Sequence, residues 1–169
     1  VNYALLYGKT AFTLAKDIGV SPAEAQAFID AYFAGFPKVR AFIDTTLDEA
    51  RQSGVVKTMY GRRRLVPELN SRNVQIRQAA EREAVNMPIQ GTAADILKFA
   101  MIHTHAALTR IPGARMILTV HDELLFEVPQ EHAEAAAALV VDSMQHAAEL
   151  RVPLIVDVGI GPNWAEAKS

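Results

Sequence analysis

Asp122 and Glu123 stand side by side at a bend between two apolar runs, residues 115–120 and 124–128. Burying apolar strands on both sides of such a bend is costly unless a cation offsets the two carboxylates. A hard divalent ion such as Mg²⁺ suits that place, because it takes a few carboxylate oxygens together with the phosphate oxygens of a substrate. The same residues also suit a plain tight turn, with Asp122 capping the bend and Glu123 solvated. His121-Asp122 invites comparison with a hydrolase pair. Adjacent strand residues face opposite ways, however, and the sequence holds no serine nucleophile elbow.

A second group is Gln78, Arg82 and Asn86, spaced i, i+4 along a helical pattern and followed by Gln90. Long polar side chains on one stripe can hydrogen-bond phosphates, sugars or base edges. Asn86 and Gln90 each carry a donor and an acceptor, which suits the minor-groove acceptors common to all base pairs. An ordinary polar face of an amphipathic helix has the same pattern. Tyr3 and Tyr7 lie one helical turn apart before Gly8, and such rings either stack on bases or pack into a core. His103, His105, His132 and His146 show no metal-ligand spacing and receive no role.

Charge is unevenly placed. The chain carries 17 basic and 19 acidic residues, a formal charge of −2. Between Arg51 and Arg82, however, eight basic residues meet only Glu68 and Glu81, a local charge of +6. Such a segment is a footprint for phosphates or a solvated face. With 169 residues, half of them hydrophobic, the chain can bury a core and is not of the disordered class. It has no cysteine, which removes disulfides, thiolate zinc sites and a catalytic thiol. No apolar run reaches membrane-spanning length. No signal-peptide pattern is visible either. The chain opens on Val1 inside a helical pattern, so a segment of a longer protein is expected.

The elements that must position these residues read as follows. Helices are expected over 2–18 (interrupted near Gly8), from the Ser21-Pro22-Ala23-Glu24 start to about Phe33, and from about Pro37 to Ser53. A hairpin is expected from 55–59 and 64–66, with arginines at its tip. Helices at 71–86 and 92–108 are expected to be separated at Pro88 and Gly91. The strands at the Asp122-Glu123 bend precede an alanine-rich helix at 131–150 and a last strand at 154–160. The class is α+β with largely antiparallel strands.

Several of these segments resemble bacterial DNA polymerase I, the family A polymerases. Residues 2–8 resemble the second half of the family's fingers-helix motif, and Val120-His121-Asp122-Glu123 its palm motif. Tyr60-Gly61-Arg62-Arg63-Arg64, residues 86–95 and residues 158–164 are similar to further family segments in the same order. The resemblance implies part of a right-hand polymerase fold, mainly helical with a short antiparallel palm sheet and a small hairpin. It would divide into the end of the fingers helices (1–53), a basic hairpin and loop (54–70), and a palm portion (71–169).

The resemblance also implies template-directed nucleotidyl transfer with two Mg²⁺ ions, one helping form the attacking 3′-oxyanion and one stabilising the triphosphate. Asp122 would be a metal-bridging aspartate and Glu123 a supporting carboxylate. His121 would sit near the primer end. Arg82, Asn86 and Gln90 would touch primer–template DNA, with Arg64 and Arg77 as further contacts. Tyr7 would take the template-base stacking position and Tyr3 would lie against the sugar of the deoxynucleoside triphosphate. Many family members have Phe at Tyr3, and the hydroxyl here implies tolerance of dideoxynucleotides. Ala4 stands where the family usually has glycine. The first aspartate motif and the fingers Lys and Arg are missing, so the chain is expected to be inactive without the remaining N-terminal parts. A bacterial cytoplasmic location is implied. The alternative is a non-catalytic nucleic-acid-binding module built on the basic segment, and a purely structural domain would bind no DNA at all.

Overall fold

Thr10 caps helix α1 (Ala11–Ile18) in the computed structural model, which describes Leu5 and residues 8–168; its hydroxyl accepts from the Thr13 amide at 3.3 Å. Helix α2 (Pro22–Gly35) begins as its sequence requires. The Glu24 amide donates to Ser21 Oγ at 3.2 Å, and the Ser21 amide donates to Glu24 Oε2 at 2.9 Å. Phe36 passes the chain directly into α3 (Pro37–Ser53). Gly54 ends α3 at φ 69°, a conformation glycine adopts without cost.

Strands β1 (Val55–Lys57) and β2 (Arg63–Leu65) then pair antiparallel, Val55 opposite Leu65 and Lys57 opposite Arg63. The hairpin is shorter than its apolar pattern implies, because the Thr58 amide and the Arg62 carbonyl already close the loop at 2.9 Å. A 3₁₀ turn, Pro67–Asn70, leads into α4 (Val74–Leu108).

Helix α4 runs through Pro88 and Gly91 without a break, contrary to the expected interruption. Pro88 leaves the Ala84 carbonyl without its helical donor, but the hairpin loop docks there and holds the segment. Thr92 Oγ1 donates to the Pro88 carbonyl and accepts from the Met59 amide at 2.9 Å. Gly91 lets the loop approach, for a Cβ there would stand 2.7 Å from Thr58 Cγ2.

Contacts divide the chain into two compact units, one ending at Thr92 and the other starting at Ala93. The boundary between the units falls inside α4. In the first unit, Leu5, Leu14, Ala15 and Ala25 form one core cluster, packed by Ile29 and Tyr32. Ala50, Val56, Val66, Leu69, Ala80 and Ala84 form another, which seats the hairpin on α3 and α4.

In the second unit, β3 (Arg115–Val120) and β4 (Glu123–Glu127) form an antiparallel pair. A 3₁₀ turn, Gln130–His132, precedes α5 (Ala133–Gln145), whose Ala136 and Val140 pack on Leu108 with Phe126 and Val128 alongside. Helix α5 ends before the expected residue 150, where the His146 amide bonds the Asp142 carbonyl. The short α6 (Trp164–Ala167) closes the described chain.

The expected strand at 154–160 does not form: among the described residues no ladder pairs with it, and Ile155, Val158 and Ile160 are exposed. The class is nonetheless α+β, mainly helical with two small antiparallel sheets. No helix among the described residues is long and apolar enough to cross a membrane.

Candidate active site and nucleic-acid interface

Val120 and Glu123 face each other across the β3–β4 ladder, so His121 and Asp122 make a two-residue loop. His121 has φ 52°, the one positive value among described non-glycine residues. Positive φ at the first loop position and not at the second is the sign pattern of a type II′ turn, whose twist matches that of the strands. Histidine tolerates this region better than most side chains. Along β3 the register shifts between Met116 and Leu118, leaving Ile117 unpaired. Such a bulge increases local twist and re-aims the residues that follow.

The turn thereby projects Asp122 into solvent. Among the described residues its carboxylate has no hydrogen bond or ion pair. Glu123 is half-buried and accepts from Lys168 Nζ at 2.6 Å. Asp122 and Glu123 are hard oxygen donors, the kind a divalent cation takes. No group of three or more His, Cys, Asp or Glu among the described residues could hold a metal, so these two carboxylates do not make a cation site by themselves.

In the first unit, Gln78, Arg82 and Gln90 are exposed along α4 with half-buried Asn86 between them, while Ala80 and Ala84 of the same helix are buried in the core. The sequence stripe is therefore a real face of the helix. The methylene stem of Arg82 lies on Gly8: a Cβ at Gly8 would stand 3.3 Å from Arg82 Cγ. The Asn86 Oδ1 atom is shut from solvent with no hydrogen-bond partner.

The weaker candidates are engaged with the protein itself. Arg64 is paired with Glu83, and Arg77 donates to the Ser71 carbonyl at 3.1 Å. Arg62, Arg63 and Arg64 are all exposed beside the hairpin loop. Tyr3 and Tyr7 lie outside the described residues.

Two residues at these sites escaped sequence reasoning. Lys168, in what reads as a polar tail, reaches Glu123 over a separation of 45 residues. Thr92, which ties the hairpin loop to α4, carried a signal: a threonine four residues after a proline can bond the proline carbonyl.

The family model for DNA polymerase family A matches residues 1–166. The chain belongs to DNA polymerase family A. It is 54% identical over 168 residues to DNA polymerase I of Deinococcus radiodurans, covering 99% of this chain and 18% of that protein. It is 51% identical to the thermostable DNA polymerase I of Thermus aquaticus, covering 99% of this chain and 20% of that protein. Among solved structures, it is similar to the POL domain of Pol1 from M. smegmatis in complex with DNA primer-template and dNTP. That likeness has a TM-score of 0.93 at 44% identity, over 99% of this chain and 30% of the other. This family A chain thus spans about a fifth of the length of these polymerase I relatives.

Proposed function

We propose that the chain is the fingers-and-palm portion of a DNA-directed DNA polymerase, acting in template-directed nucleotidyl transfer once joined to the remaining N-terminal parts. The carrying observation is the Asp122 carboxylate, exposed and unpaired at a turn with its own strained histidine. Strain of this kind concentrates where a site over-determines the backbone.

Asp122 would hold a divalent cation, Mg²⁺ in this reading, with the second bridging carboxylate coming from the N-terminal parts. When bound, such ions lower the cost of forming the attacking 3′-oxyanion and of charge on the leaving pyrophosphate. Glu123 supports Asp122 from the adjoining ladder position, and His121 faces the primer end. Arg82 contributes charge to primer–template DNA from a stem braced by Gly8, while Asn86 and Gln90 offer amides to minor-groove acceptors. Arg64 and Arg77 would add template-strand contacts once released from Glu83 and Ser71. Tyr7 would stack against the template base and Tyr3 against the incoming sugar. Work on DNA in a bacterial cell would place the protein in the cytoplasm.

The test is Asp122→Asn in a full-length polymerase carrying this segment. Primer extension should be abolished, while primer–template affinity stays equal or rises slightly because a negative charge has been removed. Retained extension would refute the assignment. Lost affinity without a role in extension would favour the non-catalytic binding module. The 169-residue chain alone should show no extension above background.

A further inference from the structure

Glu123 has a partner that belongs to none of the motifs. After α5 the chain runs without regular structure from residue 147 to residue 163 and then turns into α6. The backbone of Gly159 and Gly161 lies directly against that helix. A Cβ at Gly161 would stand 2.8 Å from the Ala167 nitrogen and 3.0 Å from the Glu166 carbonyl carbon, and one at Gly159 would collide with the Ala167 carbonyl. Asn163 fixes the start of α6: its Oδ1 accepts from the Glu166 amide at 3.1 Å, and its Nδ2 donates to Glu166 Oε1 at 2.7 Å. The helix is held by its neighbours, and the residue at its end is aimed accordingly.

That residue is Lys168. Its Nζ lies 2.6 Å from Glu123 Oε1 and 5.9 Å from the centre of the Trp164 ring. The side chains are 61% and 40% exposed, for Lys168 and Glu123. A pair so open to water contributes little to stability, so holding the fold together does not account for it. What it changes is the charge at the bend. Two adjacent unpaired carboxylates repel each other and compete for one cation. An ammonium on Glu123 leaves Asp122 as the uncompensated one.

We infer that Lys168 is a positioning residue for the Asp122–Glu123 site: it fixes the Glu123 carboxylate and offsets its charge, so that Asp122 alone is presented to the cation. This inference rests on the reading of Asp122 as a metal ligand.

The experiment uses a full-length polymerase carrying this segment, with Lys168→Met, Lys168→Arg, Glu123→Gln and the Lys168→Met/Glu123→Gln double variant. Lys168→Met should lower kcat by roughly tenfold, the low end of what losing an outer partner of a metal site costs. KM for primer–template should stay nearly unchanged. The dissociation constant for Mg²⁺, titrated calorimetrically into the enzyme–primer–template complex without nucleotide, should fall, because a second uncompensated carboxylate then faces the ion. Lys168→Arg should restore both quantities.

In the Glu123→Gln background, Lys168→Met should have no further effect, a coupling that a general structural defect would not produce. Wild-type kcat and Mg²⁺ affinity in Lys168→Met would overturn the inference, as would an undiminished effect in the Glu123→Gln background. Asp122→Asn separates the two failures. An inactive Asp122→Asn beside a normal Lys168→Met sinks only the role of Lys168, whereas an active Asp122→Asn sinks the site itself.

Discussion

The β3–β4 turn could have been made with glycine at its first position, where positive φ is free of steric cost. His121 takes that place instead, at φ 52°. A β-branched side chain would meet the backbone there far more severely than an imidazole does. His121→Val should therefore lower stability by about 1–3 kcal/mol, seen as a shift in urea midpoint at constant slope. His121→Gly should fold close to wild type. Equal midpoints for the Val and wild-type proteins would mean the turn does not require this conformation. A histidine tolerated at a strained position beside an unpaired carboxylate is better explained by the site than by the turn.

Among the elements, α2 and α4 make contrasting cases. The Glu24 carboxyl is held below its usual value of 4.5, first by the Ser21 hydroxyl and then by the Ser21 amide. A depressed folded value means the stabilisation is present above pH 4.5 and is lost as pH falls through the lowered folded value. The stability difference between wild type and Glu24→Gln should thus shrink on acidification, read by circular dichroism. A difference that grew would invert the argument.

In α4, alanine for Gly91 would ordinarily gain about 1 kcal/mol of helix propensity. Here the new Cβ would meet Thr58 Cγ2 at 2.7 Å, in a loop held by the Thr92 hydroxyl. Gly91→Ala should therefore destabilise. The Gly91→Ala/Thr58→Ser double variant, which removes the opposing methyl but keeps the hydroxyl that accepts from the Arg62 amide, should recover most of the loss. Stabilisation by Gly91→Ala alone would show that the loop simply moves aside.

Across the whole molecule, large apolar side chains are left to solvent in both units. Phe12 and Leu65 are examples in the first, Ile102, Ile117 and Ile155 in the second, with Ile155 79% exposed. Single exposed residues of this kind are ordinary, but Ile155, Val158 and Ile160 follow one another along an unpaired segment. An apolar segment without a ladder offers its amides and carbonyls to any neighbouring chain. The isolated chain should self-associate as concentration rises, and sedimentation velocity should detect it. A full-length polymerase carrying the segment should not. A monomer at every concentration would mean that these side chains are adequately solvated as they stand.

Where the controlling contacts are local, residue order decided the outcome. The capping box of α2, the glycine end of α3, the two hairpins and the placement of Asp122 at a bend all depend on residues within a few positions of one another. The stripe of Gln78, Arg82 and Asn86 follows from helical periodicity, whereas Gln90 joins it only because α4 continues past Pro88. Tertiary structure decided the rest. Helix α4 continues through Pro88 because Thr92 and the hairpin loop occupy the weak point. Residues 154–160 stay unpaired because a run rich in β-branched residues marks a segment fit for a sheet without supplying the adjoining strand. Lys168 meets Glu123 because two glycines let a short helix lie flat on the chain before it. Such contacts join residues far apart in the chain, and no local pattern records which distant group will arrive.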